Sequence, residues 1–333
     1  NVLDAIYYMS FCKSYFSTAD SQNIRHNEPF FVIQGDYQRN DTDVQIYGGV
    51  KRGSKKQFEC NKKEYPRLSD HIGLLPLVIV APFDELLIAD GAEDRRKYID
   101  SVISQCDKVY LDNIVRYNRL LQQRNALLKQ LQDIDNPDFS VLDVYDIQLS
   151  QLGTLISQKR AQLVEWLAPV LTSLYRQISS DAERVSINYV TGLQRYDFYQ
   201  GLVEARQRDL VLGYTSRGIH KDDVEFLLDE YPMKRVGSQG QRKSFVIALK
   251  LAQYQYLTTH NGIKPILLLD DIFDKLDKHR GDNLISLVAG DMFDQIFITD
   301  TNGIRLTSVL ERANKPYKIF GVTEGDVNET SHL

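Results

Sequence analysis

Residues 265–280 read PILLLDDIFDKLDKHR. Ile266 to Leu269 form an unbroken apolar run, the pattern of a strand buried on both faces. In open α/β sheets such strands deliver side chains at their carboxyl ends, where ligands bind. Asp270 and Asp271 stand at that end. One carboxylate there can hold Mg²⁺ through its water shell, and the next can orient or deprotonate an attacking water. Alone, the stretch is a weak signal, because a buried strand followed by an Asp that caps a turn reads the same way.

Immediately upstream, Gly237-Ser238-Gln239-Gly240-Gln241-Arg242 precedes a helix, KSFVIALKLAQYQYL, which ends near Asn261-Gly262. Small residues at a helix N-terminus let backbone N–H groups approach a phosphate, and the helix dipole favours the negative charge. A Ser-capped helix with flexible glycines reads the same way. Downstream come Lys275-Leu276-Asp277 and a second apolar strand, QIFITD, ending at Thr299-Asp300.

Further out, residues 2–16 space apolar groups as a helix does, and FFVIQGDYQ, VQIYGGVKR and KQFECNKKEY read as short strands. Turns are expected at Arg39-Asn40-Asp41 and Arg52-Gly53-Ser54. LPLVIVAP is another buried strand, and VSINYV, DVEFLLD and YKIFGVT are later ones. Helix dominates from about Gly91 to Ser180. Asn136-Pro137-Asp138 breaks it into Tyr110–Leu131 and Val141–Ile178, which read as an antiparallel arm. The expected fold is therefore α/β, with mixed sheets at both ends and an inserted α-helical arm. The expected boundaries are 1–106 for the first part of the head, 107–208 for the arm and 209–333 for the rest of the head.

The composition, 43% hydrophobic and 26% charged, is that of a globular chain. No apolar run reaches the roughly 20 residues that span a bilayer. Three scattered cysteines, Cys12, Cys60 and Cys106, point to a reducing, cytoplasmic setting without a disulfide framework or zinc site. The net charge of −5 argues against a generally basic nucleic-acid binder but leaves room for local patches. The densest holds Lys51, Arg52, Lys55, Lys56, Lys62, Lys63 and Arg67, which is either a solvated hairpin surface or a phosphate-binding one.

Order and spacing add weight. A Ser-x-Gly-Gln loop, a helix, a strand ending in Asp-Asp, then Lys275-Leu276-Asp277 and a strand ending in Thr299 follow the C-terminal half of an ATP-binding-cassette-type ATPase head. GSQGQRKSFVIALKLAQ resembles the signature motif of the RecF family, and PILLLDDIFDKLDKHR its Walker B and D-loop. Gly218-Ile219-His220-Lys221-Asp222-Asp223 is similar to the family's Gly-Pro-His-Arg-Asp-Asp, with two substitutions. Asp94-Arg95-Arg96-Lys97-Tyr98-Ile99-Asp100 is similar to its Arg-Arg-x-Phe-Leu-Asp. The likeness runs in order from residue 1 to about residue 323.

The resemblance implies an ATPase head that dimerises head to tail around ATP. Asp270 would hold Mg²⁺ through water and Asp271 would position the attacking water. Ser238, Gln239, Gly240, Gln241, Asp277 and Thr299 would line the nucleotide. Asp271, one methylene shorter than the Glu of many relatives, implies slow turnover suited to a clamp or timer. The family likeness also implies recombinational repair, binding to gapped or single-strand/double-strand DNA junctions, and partnership with RecR and RecO. Two departures stand out. No G-x-x-x-x-G-K-[ST] loop occurs; it would fall just before Asn1, so a truncated chain without ATPase activity of its own is expected. Thr299-Asp300-Thr301 stands where many cassette ATPases place a His. His220 is a possible base, although a lone His is usually structural. Two other readings remain: an SMC-like DNA-bridging protein, whose arms are far longer than the roughly 45 Å of a 30-residue helix, and a non-enzymatic binding fragment.

Overall fold

The computed structural model describes residues 2–180, 183–194, 197–274, 276–301 and 316–330. The helices are α1 (Val2–Phe11), α2 (Leu86–Ala89), α3 (Ala92–Ser104), α4 (Lys108–Leu131), α5 (Asp143–Ser179), α6 (Phe198–Leu212), α7 (Met233–Val236), α8 (Gln239–Asn261) and α9 (Lys278–Ala289). The strands are β1 (Phe30–Arg39), β2 (Thr42–Lys51), β3 (Gln57–Cys60), β4 (Lys63–Glu64), β5 (Leu77–Val80), β6 (Val185–Val190), β7 (Asp223–Leu228), β8 (Tyr231–Pro232), β9 (Ile266–Asp270), β10 (Ile296–Thr299), β11 (Ile319–Thr323) and β12 (Asp326–Thr330). They form two compact units.

The first unit comprises residues 1–82, 177–180 and 261–333. In it β9 lies between β10 and β5 and runs parallel to both, with Leu268 beside Phe297 and Ile79. Neighbours on two edges and apolar cover explain why Leu267, Leu268 and Leu269 carry no polar side chain between them. Strands β1-β2-β3-β4 form a separate antiparallel sheet. Helix α1 serves both sheets. Leu3, Tyr7 and Phe11 pack with Leu77, Ile79, Ala81 and Leu268, while Tyr8, Met9 and Cys12 pack with Ile46, Val50, Phe58 and Leu75. A helix buried on opposite faces is apolar nearly all round, as this one is.

Two local readings change. The helix expected over 2–16 stops at Phe11, because Cys12 takes a left-handed backbone (φ 53°) and Asp4 accepts from the Ser14 hydroxyl and the Tyr15 amide, folding the chain back. KQFECNKKEY is a hairpin rather than one strand. Asn61 and Lys62 both have positive φ, as a tight two-residue hairpin turn demands, and the Asn61 side chain accepts from the Gln45 amide at 2.7 Å.

The second unit comprises residues 83–176 and 181–260. Helices α4 and α5 lie antiparallel, with Arg116 donating to Gln148 at 3.0 Å. Strands β6-β7-β8 make an antiparallel sheet. Helix α8 belongs to this unit. Phe245 meets Tyr175 and Phe226, Lys250 pairs with buried Asp84 at 2.8 Å, and Tyr256 meets Trp166 edge-on. The chain passes between the two units at 82/83, 176/177, 180/181 and 260/261. No described helix is long and apolar enough to cross a membrane.

Candidate functional site

At the carboxyl end of β9 the Thr299 hydroxyl donates to Asp270 Oδ1 at 2.6 Å. Parallel pairing sets Thr299 opposite Asp270, so residues 29 apart in sequence meet because their strands end level. That bond orients the Asp270 carboxylate. Asp271 follows with a left-handed backbone (φ 47°), and its amide donates to the Thr299 carbonyl at 3.3 Å. Both acids are half-buried. Asp277 caps α9: its carboxylate accepts from the Arg280 amide at 2.9 Å, which holds its pKa below the usual carboxylate range. Lys275 lies outside the described residues. Among those described, no cluster of three or more His, Cys, Asp or Glu side chains could cage a metal. A Mg²⁺ carried by phosphates needs only one or two protein carboxylates, and the oriented Asp270 fits that need.

In the second unit Ser238 and Gln241 form a reciprocal cap at the start of α8. Ser238 Oγ accepts from the Gln241 amide at 3.3 Å, and Gln241 Oε1 accepts from the Ser238 amide at 2.7 Å. Ser238 and Gln239 are exposed and Gly240 is half-exposed. Gly237 has to be glycine: a Cβ there would sit 2.7 Å from Met233 Sδ and 2.9 Å from the Met233 carbonyl oxygen. The Gln241 side-chain amide is engaged at both ends, since Nε2 donates to Glu183 at 3.0 Å. Glu183 carries no motif signal and lies 58 residues away, so the sequence holds no sign of it.

The basic patch divides. Lys51, Arg52 and Lys55 are exposed beside the β2–β3 turn, while Lys62 and Lys63 are exposed at the other end of β3. Lys56 is held inside: it pairs with Asp20 at 2.7 Å, donates to the Cys12 carbonyl and lies 4.9 Å over the Tyr8 ring. Arg67 pairs with Asp70 at 2.8 Å.

The segments around Arg95 and Asp222 bind one another. Arg95 makes a two-bond pair with Asp223 (2.8 and 2.9 Å), and Arg96 donates to the Asp222 carbonyl. Arg160 pairs with Asp100 through two bonds of 2.8 Å. His220 belongs to the same packing. Its Nε2 must donate to the Thr215 carbonyl (2.9 Å), leaving Nδ1 to accept from the Tyr117 hydroxyl (3.1 Å). Burial lowers its pKa to about 4. With both nitrogens engaged, His220 serves the fold, and the reading of it as a base loses its support.

The arrangement of sheets and helices is shared with other solved heads. An Smc head bound to the C-terminal winged-helix domain of ScpA matches with a TM-score of 0.53 at 12% identity, over 99% of this chain and 85% of that one. The fold is thus an SMC-like, ATP-binding-cassette-type head. No family model matches the chain. The DNA replication and repair protein RecF of Bacteroides fragilis is 50% identical over 330 residues, 99% of this chain and 88% of the relative. That of Flavobacterium johnsoniae is 44% identical over 322 residues, 97% and 90%. The solved structure of the recombination mediator RecF with ATP, from the RecFOR pathway, matches with a TM-score of 0.86 at 26% identity, over 99% and 89%. The chain belongs to the RecF family of DNA replication and repair proteins.

Proposed function

We propose that the protein is an ATP-dependent DNA clamp of recombinational repair, closed by ATP held between two copies and opened by slow hydrolysis. The observation that carries the reading is the Asp270–Thr299 pair: a carboxylate fixed at the end of the central parallel strand and followed at once by a second acid. Asp270 would hold Mg²⁺ through its water shell, and Asp271 would orient the attacking water. Mg²⁺, when bound, neutralises charge on the β- and γ-phosphates. Ser238, Gln239 and Gly240 of one copy face the nucleotide of the other. The Ser238 hydroxyl supplies a donor, since its oxygen already accepts from Gln241. Gln241 positions this group rather than touching ATP. Asp277 and Thr299 complete the surroundings. The solved RecF structure with ATP supports the cofactor, and its place in the RecFOR pathway supports RecO and RecR as partners.

Ser238→Arg in the full-length protein tests the composite site. The long side chain fills the space where the second copy's nucleotide would approach, so ATP-dependent dimerisation and hydrolysis fall together. ATP binding by the monomer survives. Light scattering with and without ATP, beside a fluorescent-nucleotide titration, reads both. A mutant that still dimerises with ATP reduces Ser238 to a helix cap.

DNA contact at the β2–β3 turn is part of the same proposal, through Lys51, Arg52 and Lys55, with Lys62, Lys63 and Arg67 further along. Lys56 is left out of the proposed contact because it pairs with Asp20. Arg52→Glu with Lys55→Glu should lower the slope of log affinity against log salt by roughly 1–2, since each phosphate contact contributes about 0.9. Fluorescence anisotropy on a gapped duplex at several salt concentrations measures this, and an unchanged slope makes the turn a solvated surface.

A further inference from the structure

The cap at the head of α8 is held from behind. Gln241 Oε1 faces the Ser238 amide and Nε2 faces Glu183 Oε1, so the two ends of the side-chain amide meet a donor and an acceptor. A carboxylate can only accept. Turning the Gln241 amide over would therefore set NH₂ against N–H at one end and oxygen against oxygen at the other. Glu183 is itself fixed, because its Oε2 accepts from the Tyr175 hydroxyl at 2.7 Å. Tyr175 lies fully buried on α5, with its ring 6.5 Å from that of Phe245 on α8. The series Tyr175–Glu183–Gln241–Ser238 thus runs from the core of the second unit to an exposed hydroxyl.

We propose that Glu183 is a positioning residue for Ser238: it locks the Gln241 amide, and through it the serine, in the one arrangement that presents the hydroxyl to ATP on a second copy. The proposal rests on the reading of Ser238 given above. Without Glu183 the half-exposed Gln241 side chain is free to leave the cap, the Ser238 backbone amide loses its acceptor, and the loop that carries the hydroxyl regains other conformations. Division of that loop among about three comparable conformations costs about threefold at each site, and a dimer has two such sites, so its dissociation constant rises roughly tenfold. The nucleotide bound by a separate monomer does not sense the change.

The test uses the full-length protein with Mg-ATP. Light scattering gives the protein concentration at half-dimerisation, and a fluorescent ATP analogue gives monomer affinity. Glu183→Ala should raise the first about tenfold and leave the second within about twofold. Glu183→Gln should behave as the parent protein, because its oxygen still accepts from Gln241 and its NH₂ can donate to the Tyr175 oxygen. Adding Glu183→Ala to Ser238→Ala should change nothing further, since both act through one hydroxyl. If Glu183→Ala lowers the melting temperature too far to measure, Glu183→Asp, one methylene too short to reach Gln241, carries the same test. Normal dimerisation in Glu183→Ala, with Ser238→Ala impaired, overturns the role of Glu183 alone. Normal dimerisation in Ser238→Ala overturns the reading of Ser238 and this proposal with it. Additive losses in the double variant place Glu183 in a separate structural role and also overturn the proposal.

Discussion

Asp271→Asn in the full-length protein is expected to cut ATP hydrolysis by roughly 100-fold or more, the usual effect of removing a positioned base, while ATP binding and ATP-dependent dimerisation persist. The argument is one of charge at constant shape. Asn keeps the volume and one acceptor oxygen of Asp, and it is well tolerated at the left-handed backbone position that residue 271 occupies. What is lost is the negative charge that would orient water and draw its proton. The neighbouring Asp270→Asn separates the two roles. Its oxygen still accepts from Thr299, so the strand ends stay joined, but the charge that would hold the metal's water shell is gone. Mg²⁺-dependent nucleotide affinity should fall in that variant and stay level in Asp271→Asn. Parallel hydrolysis and nucleotide-titration measurements decide the matter. Unchanged hydrolysis in Asp271→Asn would falsify the assigned role.

Arg124→Ala is expected to lower stability by about 3–5 kcal/mol, the cost of leaving a buried charge without its partner. Arg124 is fully buried, as are Asp146 and Asp209. It donates to Asp146 at 2.6 Å and to Asp209 and Thr215 at 2.8 and 2.9 Å. One side chain on α4 therefore ties α5, α6 and the segment after α6. With Arg124 removed, Asp146 keeps Arg206, which donates to it at 2.7 and 2.9 Å. Asp209 keeps only the Ser216 amide and hydroxyl, and loses its sole cation among the described residues. Arg124→Met combined with Asp209→Asn takes away the stranded charge and should recover part of the loss. Urea unfolding followed by circular dichroism measures the difference. A loss under about 1 kcal/mol, the range of exposed ion pairs, would mean that water reaches the cluster.

The strands of the first unit were legible because burial on both faces imposes a plain rule on sequence. Leu77–Val80 and Ile266–Leu269 had to be apolar throughout, and they form β5 and the body of β9. The arm helices were legible for a similar reason, since apolar residues three and four apart over many turns line one face of a helix and no face of a strand. Family membership followed from the order of motifs, each weak alone. The Asn61-Lys62 hairpin escaped because a two-residue turn was read as a polar stretch within a strand, and only the backbone angles separate the two.

The sequence by itself determined the class of fold, the family, and which acids stand at the end of the central strand, because periodicity and order are properties of the chain. Tertiary structure alone decided what each polar group does. Asp270 meets Thr299 through strand register, Lys56 leaves the basic patch to pair with Asp20, and His220 is held by Tyr117 and Thr215. Gln241 links Ser238 to Glu183. A hydrogen bond depends on position and direction to within a fraction of an ångström. Between segments 29 to 103 residues apart, as for Asp270 with Thr299 and His220 with Tyr117, those are set only by packing, and no spacing in the sequence encodes them.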